Sequence, residues 1–182
     1  MSKYLFVHVP KTAGQSILSL LNERELDPWN RVVHAKHDPY FVLQRNNKID
    51  SYVFSFAVVR NPYRRTFSYF KHFCKHNRIS CKFKHFLNAI KDGVHYERTP
   101  MITFTQSFYC LDEIGDISLS KIYKHENLHE MEKDLNISLP HLNKGNYSEE
   151  EYFESYTEEN KNFVRDYYSS DFCNFNYCLD FV

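Results

Sequence analysis

The chain of 182 residues is poor in the two residue types that interrupt regular structure, with 4 glycines and 6 prolines. This scarcity excludes linker-rich and low-complexity classes. The formal net charge is zero, so no global field draws the chain to nucleic acid or to anionic lipid, and any anion site must be local. No apolar run approaches the roughly 20 residues of a membrane span, and no signal peptide is recognised. We therefore expect a cytoplasmic protein without a nucleic acid or membrane partner.

Cysteine pairs with metal-binding spacing are also missing. The 5 cysteines are irregularly spaced and none belongs to a C-x-x-C pair, so no metal site is predicted and reduced thiols are favoured over disulfides. In contrast, hydrophobic residues make up 42% of the chain and include 16 Phe and 14 Tyr, which is enough for a core. The length fits a single domain over residues 1–182.

Apolar patterns alternate between strand-like and helix-like periods along the chain. They predict strands over residues 3–9, 31–36, 51–59 and 120–124, and helices over residues 15–22, 39–46, 62–76, 82–91, 127–135 and 158–168. Such alternation predicts an α/β fold, with a central parallel sheet and helices on both of its faces. Ligands of these folds bind at the carboxyl ends of the strands, so the strand-to-helix junctions are the candidate sites.

The first junction is the segment HVPKTAGQS, residues 8–16. The backbone N–H groups at a helix start and the helix dipole together favour an anion. Gly14 would let the backbone approach that anion closely, and Lys11 would add a mobile positive charge. The lysine precedes the glycine, which differs from the Walker A pattern. Loop chemistry alone equally allows an ordinary turn with a surface lysine.

The second junction is the segment RNPYRRTFSYF, residues 60–70. Arg60 is expected at the strand end, Pro62 at the helix start, and Ser68 about two helical turns along. A strand-end arginine and a helix serine can clamp one phosphate, because the guanidinium fork matches phosphate oxygens. Taken alone, however, this segment slightly favours a basic amphipathic helix with a solvated face.

Together the two segments resemble the sulfotransferase superfamily. PKTAGQS is similar to its 5′-phosphosulfate-binding loop, P-K-[TS]-[GA]-[GT]-[TS], and RNPYRRTFSYF to its 3′-phosphate signature, R-[ND]-P-x-x-R-x-x-S-x-[YF]. KHENL (124–128), LPHLNK (139–144) and DFCNFNY (171–177) extend the resemblance over nearly the whole chain, toward the carbohydrate branch that includes heparan and chondroitin sulfotransferases. The chain departs from these patterns at Gln15, Arg64 and Asn176, of which only Gln15 falls in the expected site.

The resemblance implies a P-loop-like three-layer α/β/α fold and 3′-phosphoadenosine 5′-phosphosulfate (PAPS) as sulfuryl donor, with the product PAP and no metal. The donor-binding residues that it implies are Lys11, Thr12, Ala13, Gly14, Gln15, Ser16, Arg60, Ser68 and Lys144. Lys11 is also expected to be catalytic, because it would stabilise charge on the leaving phosphate oxygen. Arg65 matches the second arginine of the signature, and a structural role is favoured for it.

An acceptor hydroxyl must lose its proton during attack, and a histidine with a near-neutral pKa suits a general base. The resemblance implies that this base follows the second predicted strand, where the chain offers His34 and His37. We favour His37, because it directly precedes the predicted helix start at Asp38, and His34 stays open. His8 precedes the first loop and is interpreted as a packed residue.

Three functions are therefore compared. The favoured one is a PAPS-dependent sulfotransferase that acts on a hydroxyl, with a carbohydrate as the preferred acceptor. The second is a non-catalytic module that binds a nucleotide or a sulfated glycan, and retention of Lys11 together with a histidine candidate argues against it. A P-loop-type kinase is disfavoured, because the sequence lacks the Walker Lys-Ser/Thr pair and an evident Mg²⁺ carboxylate.

Overall fold

The computed structural model describes residues 4–23, 37–47, 54–93, 103–140 and 147–181. The chain divides into two compact units. The first unit consists of Met1–Arg60 and Gln106–Asn143, and the second of Asn61–Thr105 and Lys144–Val182. Each unit has its own cluster of buried apolar side chains.

A parallel sheet forms the centre of the first unit. Its strands are β1 (Tyr4–Val7), β2 (Phe54–Val59) and β3 (Lys121–Lys124), in the order β1-β2-β3. Val7 lies opposite Ala57, and Val59 lies opposite Lys124. Because the strands are parallel, their carboxyl ends meet at one edge of the sheet. The mixed α/β class predicted from the sequence is thereby confirmed.

Helices occupy much of the rest of the described chain. In chain order they are α1 (Gly14–Glu23), α2 (Tyr40–Asn47), α3 (Pro62–Asn77), α4 (Phe83–Lys91), α5 (Gln106–Cys110), α6 (Leu128–Leu135), α7 (Glu149–Ser155), α8 (Glu158–Tyr167) and α9 (Ser169–Asn174). A short 3₁₀ turn, His125–Asn127, precedes α6. No helix of the described residues is both long enough and apolar enough to cross a membrane.

Both faces of β1 and β2 are buried, which is typical of parallel sheets, whereas in β3 only Tyr123 is fully buried. On one face the rings of Phe6 and Phe56 pack 5.1 Å apart and join a cluster with Ile17 of α1 and Met131 of α6. The alternate residues of β1 and β2, such as Val7, are also buried. The nearly continuous apolar run of β2 therefore has the pattern of a strand covered on both sides.

The second unit is helical and aromatic. Helix α3 begins as the sequence predicts, because the Asn61 side chain accepts hydrogen bonds from the backbone N–H groups of Tyr63 and Arg64 while Pro62 occupies the first turn. Tyr63 and Phe67 of α3 pack with Phe83 of α4 and with rings of the C-terminal helices. This buried aromatic layer accounts for a large part of the Phe and Tyr content.

Most of the predicted elements that fall in the described residues are confirmed, with small shifts of their ends. Helix α2 begins at Tyr40, one residue later than expected, because the Pro39 carbonyl already accepts the N–H groups of Val42 and Leu43. Thr157 caps α8 by accepting from the N–H of Asn160. Helices α5, α7 and α9 were not predicted. The strand expected at residues 31–36 lies outside the described residues.

Candidate functional site

The loop from β1 to α1, residues 8–13, is held together by its own hydrogen bonds. The hydroxyl of Thr12 donates to the carbonyl of Val9 at 2.8 Å, and the Val9 N–H donates to the carbonyl of Val7 at 3.0 Å. The Ala13 carbonyl accepts the N–H groups of Ser16 and Ile17, so it starts the hydrogen-bond ladder of α1. The loop is therefore a preformed turn that leads directly into a helix.

Three non-glycine residues of this region have left-handed backbone conformations. The φ angles are 70° at Lys11, 69° at Ala13 and 50° at His37. Left-handed residues at Arg78 and Asn136 have an ordinary explanation, because each caps the C-terminus of a helix. At Lys11, Ala13 and His37 the conformation costs about 1–2 kcal/mol per residue. Such strain concentrates at binding and catalytic sites, and here it concentrates around one loop.

Gly14 makes room for a side chain rather than for a turn. A Cβ atom at this position would lie 1.8 Å from Nε2 of His8. The His8 side chain is only 4% exposed, and its ring lies against Phe6, with ring centroids 5.7 Å apart. The imidazole therefore occupies the space above the first residue of α1, and position 14 has to be glycine because of it. The prediction that Gly14 lets an anion approach the backbone is untested by this arrangement.

The remaining predicted residues of the loop have different surroundings. Ser16 is buried and its N–H is bonded to Ala13, whereas Gln15 is exposed. Within the described residues, no carbonyl accepts from the N–H groups of Gly14 and Gln15. N–H groups in the first turn of a helix are those from which a bound anion can accept. Donation by the Thr12 hydroxyl would need its bond to Val9 to break, and it stays a prediction.

Arg60 is fixed at the end of β2 by Gln106, the first residue of α5. The Gln106 amide accepts from the Arg60 N–H and donates to the Arg60 carbonyl, both at 2.8 Å. Gln106 is fully buried, so this pair of bonds is shielded from water. The guanidinium then reaches the first loop, where Nη1 lies 3.5 Å from the Lys11 carbonyl oxygen. The strand end and the loop are in this way brought to one place.

Lys11 and Arg60 create a local positive potential in a chain with no net charge. Burial, reinforced by the charge of Arg60, lowers the pKa of Lys11 from 10.5 to about 8. The lysine is thus still mostly protonated at neutral pH, although both effects act against its charge. A bound anion would relieve the repulsion between the two cations. Because the chain has no net charge, an anion site needs a local positive charge, and Lys11 and Arg60 together supply one.

His125 lies at the end of β3 and was not among the predicted site residues. Burial, and then the charge of Arg60, lower the pKa of His125 to about 4, and the carboxylate of Glu126 opposes the shift. Its imidazole is therefore neutral at physiological pH. His8, Arg60 and His125 each directly follow one of the three strands. That position, at the carboxyl end of a parallel strand, is the signal that could have identified His125.

His37 lies beside the β1–α1 loop, and its role as base stays a prediction. Its Nδ1 is 2.9 Å from the carbonyl oxygen of His8, and the centroids of the two rings are 3.9 Å apart. A carbonyl oxygen only accepts, so Nδ1 carries the hydrogen in this bond. His34, the alternative base, lies outside the described residues, as does Lys144.

The signature residues of α3 belong to the second unit. Ser68 is half-buried there, and the clamp of one phosphate by Arg60 and Ser68 stays a prediction. Arg65 is 2% exposed, donates to the Phe104 carbonyl at 3.1 Å and lies 3.9 Å from the carboxylate of Asp171. These contacts give Arg65 the structural role favoured for it.

Searches against protein families, characterised proteins and solved structures find no match to this chain. The geometry of the site and the short motifs therefore carry the functional argument.

Proposed function

We propose that this chain is a sulfotransferase, which transfers the sulfuryl group of PAPS to a hydroxyl acceptor, with a carbohydrate as the preferred acceptor class. The observation that carries the proposal is the grouping of two cations and an imidazole around one strained loop. Lys11 belongs to that loop, Arg60 reaches its backbone, and His37 bonds to the carbonyl at its start. Lys11 and Arg60 were predicted as site residues from the two sequence segments, and His37 from the position that the resemblance implies for the base.

The cations suit a phosphosulfate donor. The N–H groups of Gly14 and Gln15 would hold the 5′-phosphate, with the dipole of α1 behind them. Lys11 would stabilise negative charge as it develops on the leaving phosphate oxygen, because a cation already in position needs no reorganisation. Arg60 would hold a phosphate through its guanidinium fork. Ser68 and Lys144 are retained in this proposal as further donor-binding residues.

The imidazole suits the removal of a proton from the acceptor. With the hydrogen on Nδ1, the lone pair of neutral His37 lies on Nε2, the atom that would accept the hydroxyl proton. The acceptor oxygen would then attack sulfur in line with the departing phosphate oxygen. PAPS would supply the sulfuryl group and leave as PAP. The sulfate ester is the second product, so atoms and charges balance.

The sheet supports the proposed P-loop-like three-layer α/β/α fold. It is parallel, its strands β1 and β2 are buried on both faces, and helix α1 follows β1 through the site loop. The resemblance of the two segments to the sulfotransferase signatures points to the same fold. The three layers themselves are part of the proposal.

The experiment is a transfer assay with ³⁵S-labelled PAPS and a panel of glycans, in which labelled product is separated and counted. Lys11→Ala and His37→Ala are compared with wild type and with His129→Ala, which removes an exposed histidine of α6 that is not among the proposed site residues. We expect transfer to at least one glycan by wild type and by His129→Ala. We expect losses of about 10²-fold or more in the other two variants.

Two results would count against the proposal. Binding of PAPS without transfer to any hydroxyl acceptor would favour a module that binds the nucleotide. Equal activity of His129→Ala and His37→Ala would remove His37 from the reaction.

A further inference from the structure

We infer that His8 is a positioning residue for the base, which sets both the ring orientation and the tautomer of His37. The inference rests on the proposed function, because it assigns His37 the role of general base. The observation behind it is a double contact between the two histidines, through a hydrogen bond and through their rings. His8 itself does not touch the reacting atoms in this account.

The hydrogen bond decides which nitrogen of His37 is basic. Nδ1 lies 2.9 Å from the His8 carbonyl oxygen, which has no hydrogen to donate. A neutral imidazole carries one N–H, so this bond places it on Nδ1 and leaves the lone pair on Nε2. The same bond strengthens when the ring takes up a second proton, because a charged donor binds a carbonyl more tightly. The His8 carbonyl therefore accepts the Nδ1 hydrogen of His37 both before and after the ring takes up the acceptor's proton.

The ring contact decides where that nitrogen points. The ring of His8 lies 3.9 Å from that of His37, with an angle of 47° between the planes, and 5.7 Å from the ring of Phe6 on β1. The glycine at position 14 leaves the His8 ring the space that a side chain there would fill. With 4% of His8 exposed, its ring has little freedom to shift. The packing against β1 thus fixes the position of the His8 ring, and the His8 ring in turn fixes the position of the His37 ring.

This arrangement also explains the backbone at position 37. A histidine with φ of 50° is strained, and such a conformation persists only where its surroundings hold it. The bond to the His8 carbonyl and the ring contact are two such restraints. They tie a residue that precedes α2 to the end of β1, 29 positions earlier.

The test uses the full chain with two substitutions at one position. His8→Ala removes the ring but keeps the backbone carbonyl, and His8→Phe restores a flat ring of similar size. Met131→Ala is the matched control, because it removes a buried side chain of the same unit that lies in the apolar cluster of α6. The measurements are kcat with ³⁵S-labelled PAPS, the Kd for PAP, and the ¹⁵N shifts of the His37 ring, identified by comparison with His37→Gln.

For His8→Ala we expect kcat to fall by about 10- to 100-fold, since displacement of a catalytic group by 1 Å has effects of that order. The Kd for PAP should change less than threefold, and His8→Phe should recover most of kcat. In wild type at alkaline pH the ¹⁵N shifts should show the hydrogen on Nδ1, and His8→Ala should keep it there because the backbone carbonyl is retained. Met131→Ala should lower stability without changing the tautomer.

Two results overturn the inference: a wild-type His37 ring with its hydrogen on Nε2, or a His8→Ala variant with unchanged kcat. Absence of transfer by wild type would instead contradict the proposed function. The ¹⁵N measurement needs no acceptor, so it would still decide whether His8 sets the tautomer of His37.

Discussion

Substitution of Gly14 by alanine tests the packing at the centre of the site. The new Cβ would lie 1.8 Å from Nε2 and 2.0 Å from Cδ2 of His8. Ordinary carbon contacts begin at about 3.5 Å, so the ring would have to withdraw by roughly 1.6 Å. Its neighbours Phe6 and His37 oppose such a shift.

The expected cost follows from this geometry. Overpacking of a well-packed interior costs about 1–3 kcal/mol. Gly14 is the first residue of α1, and the higher helix propensity of alanine offsets at most about 1 kcal/mol of the overpacking cost. We therefore expect Gly14→Ala to lower the free energy of unfolding by about 1–2 kcal/mol. For a chain of this length, that corresponds to a decrease of about 2–8 °C in Tm.

The assay is a double-mutant cycle by urea and thermal denaturation, with Gly14→Ala, His8→Ala and the double variant. In the absence of the imidazole the methyl group meets no obstacle, so alanine at position 14 should become neutral or stabilising. A coupling energy of about 1–3 kcal/mol is expected. Gly93→Ala is the control, because Gly93 has φ of 66° with nothing within 4 Å of its added Cβ, so its cost is conformational and independent of His8.

Additive effects of Gly14→Ala and His8→Ala would refute this reasoning. That result would mean that His8 leaves the space above α1 at no cost, and it would also remove the basis for a fixed His37.

Three further outcomes are expected from the contacts. The pKa of Lys11 is about 8, so above pH 8 the lysine loses its proton and the affinity for PAP should fall by up to about tenfold per pH unit. In Lys11→Arg the affinity should not change over this pH range, because arginine keeps its charge. Calorimetry between pH 7 and 9.5 checks both expectations. Gln106→Leu should lower stability by about 1–3 kcal/mol in urea denaturation, because it removes both bonds to the Arg60 backbone, and Gln106→Glu, which keeps the acceptor, should lose less. Arg65→Met should lower the free energy of unfolding by about 3–5 kcal/mol, because it removes the cation beside the buried carboxylate of Asp171. In urea denaturation, the double variant with Asp171→Leu should be more stable than Arg65→Met alone.

Local patterns predicted the elements that carry the site. The alternation of residues 3–9 and the apolar run before Arg60 identify β1 and β2, because burial on a sheet imposes those patterns. Asn61 and Pro62 mark the start of α3 because a cap and a fixed φ act within one turn. The short helices α5, α7 and α9 have 5 to 7 residues and too little periodicity to be recognised.

The contacts that complete the site join residues far apart in the chain, which is why no local pattern shows them. Gln106 is 46 positions from Arg60, and nothing around it indicates that its amide closes on that backbone. At Gly14 the His8 ring occupies the adjacent space, a packing contact that no sequence pattern indicates. The approach of an anion to the backbone at Gly14 stays a prediction.

Calorimetric titration of the full chain with PAP and, separately, with ATP tests the central claim most directly, since it asks whether the loop of Lys11 and the strand end of Arg60 bind the sulfotransferase donor. We predict that PAP binds and that ATP does not compete with it. Arg60→Ala should weaken PAP binding by about 10- to 100-fold with an unchanged Tm, as loss of a charged hydrogen bond implies. Binding of ATP without binding of PAP would contradict the account.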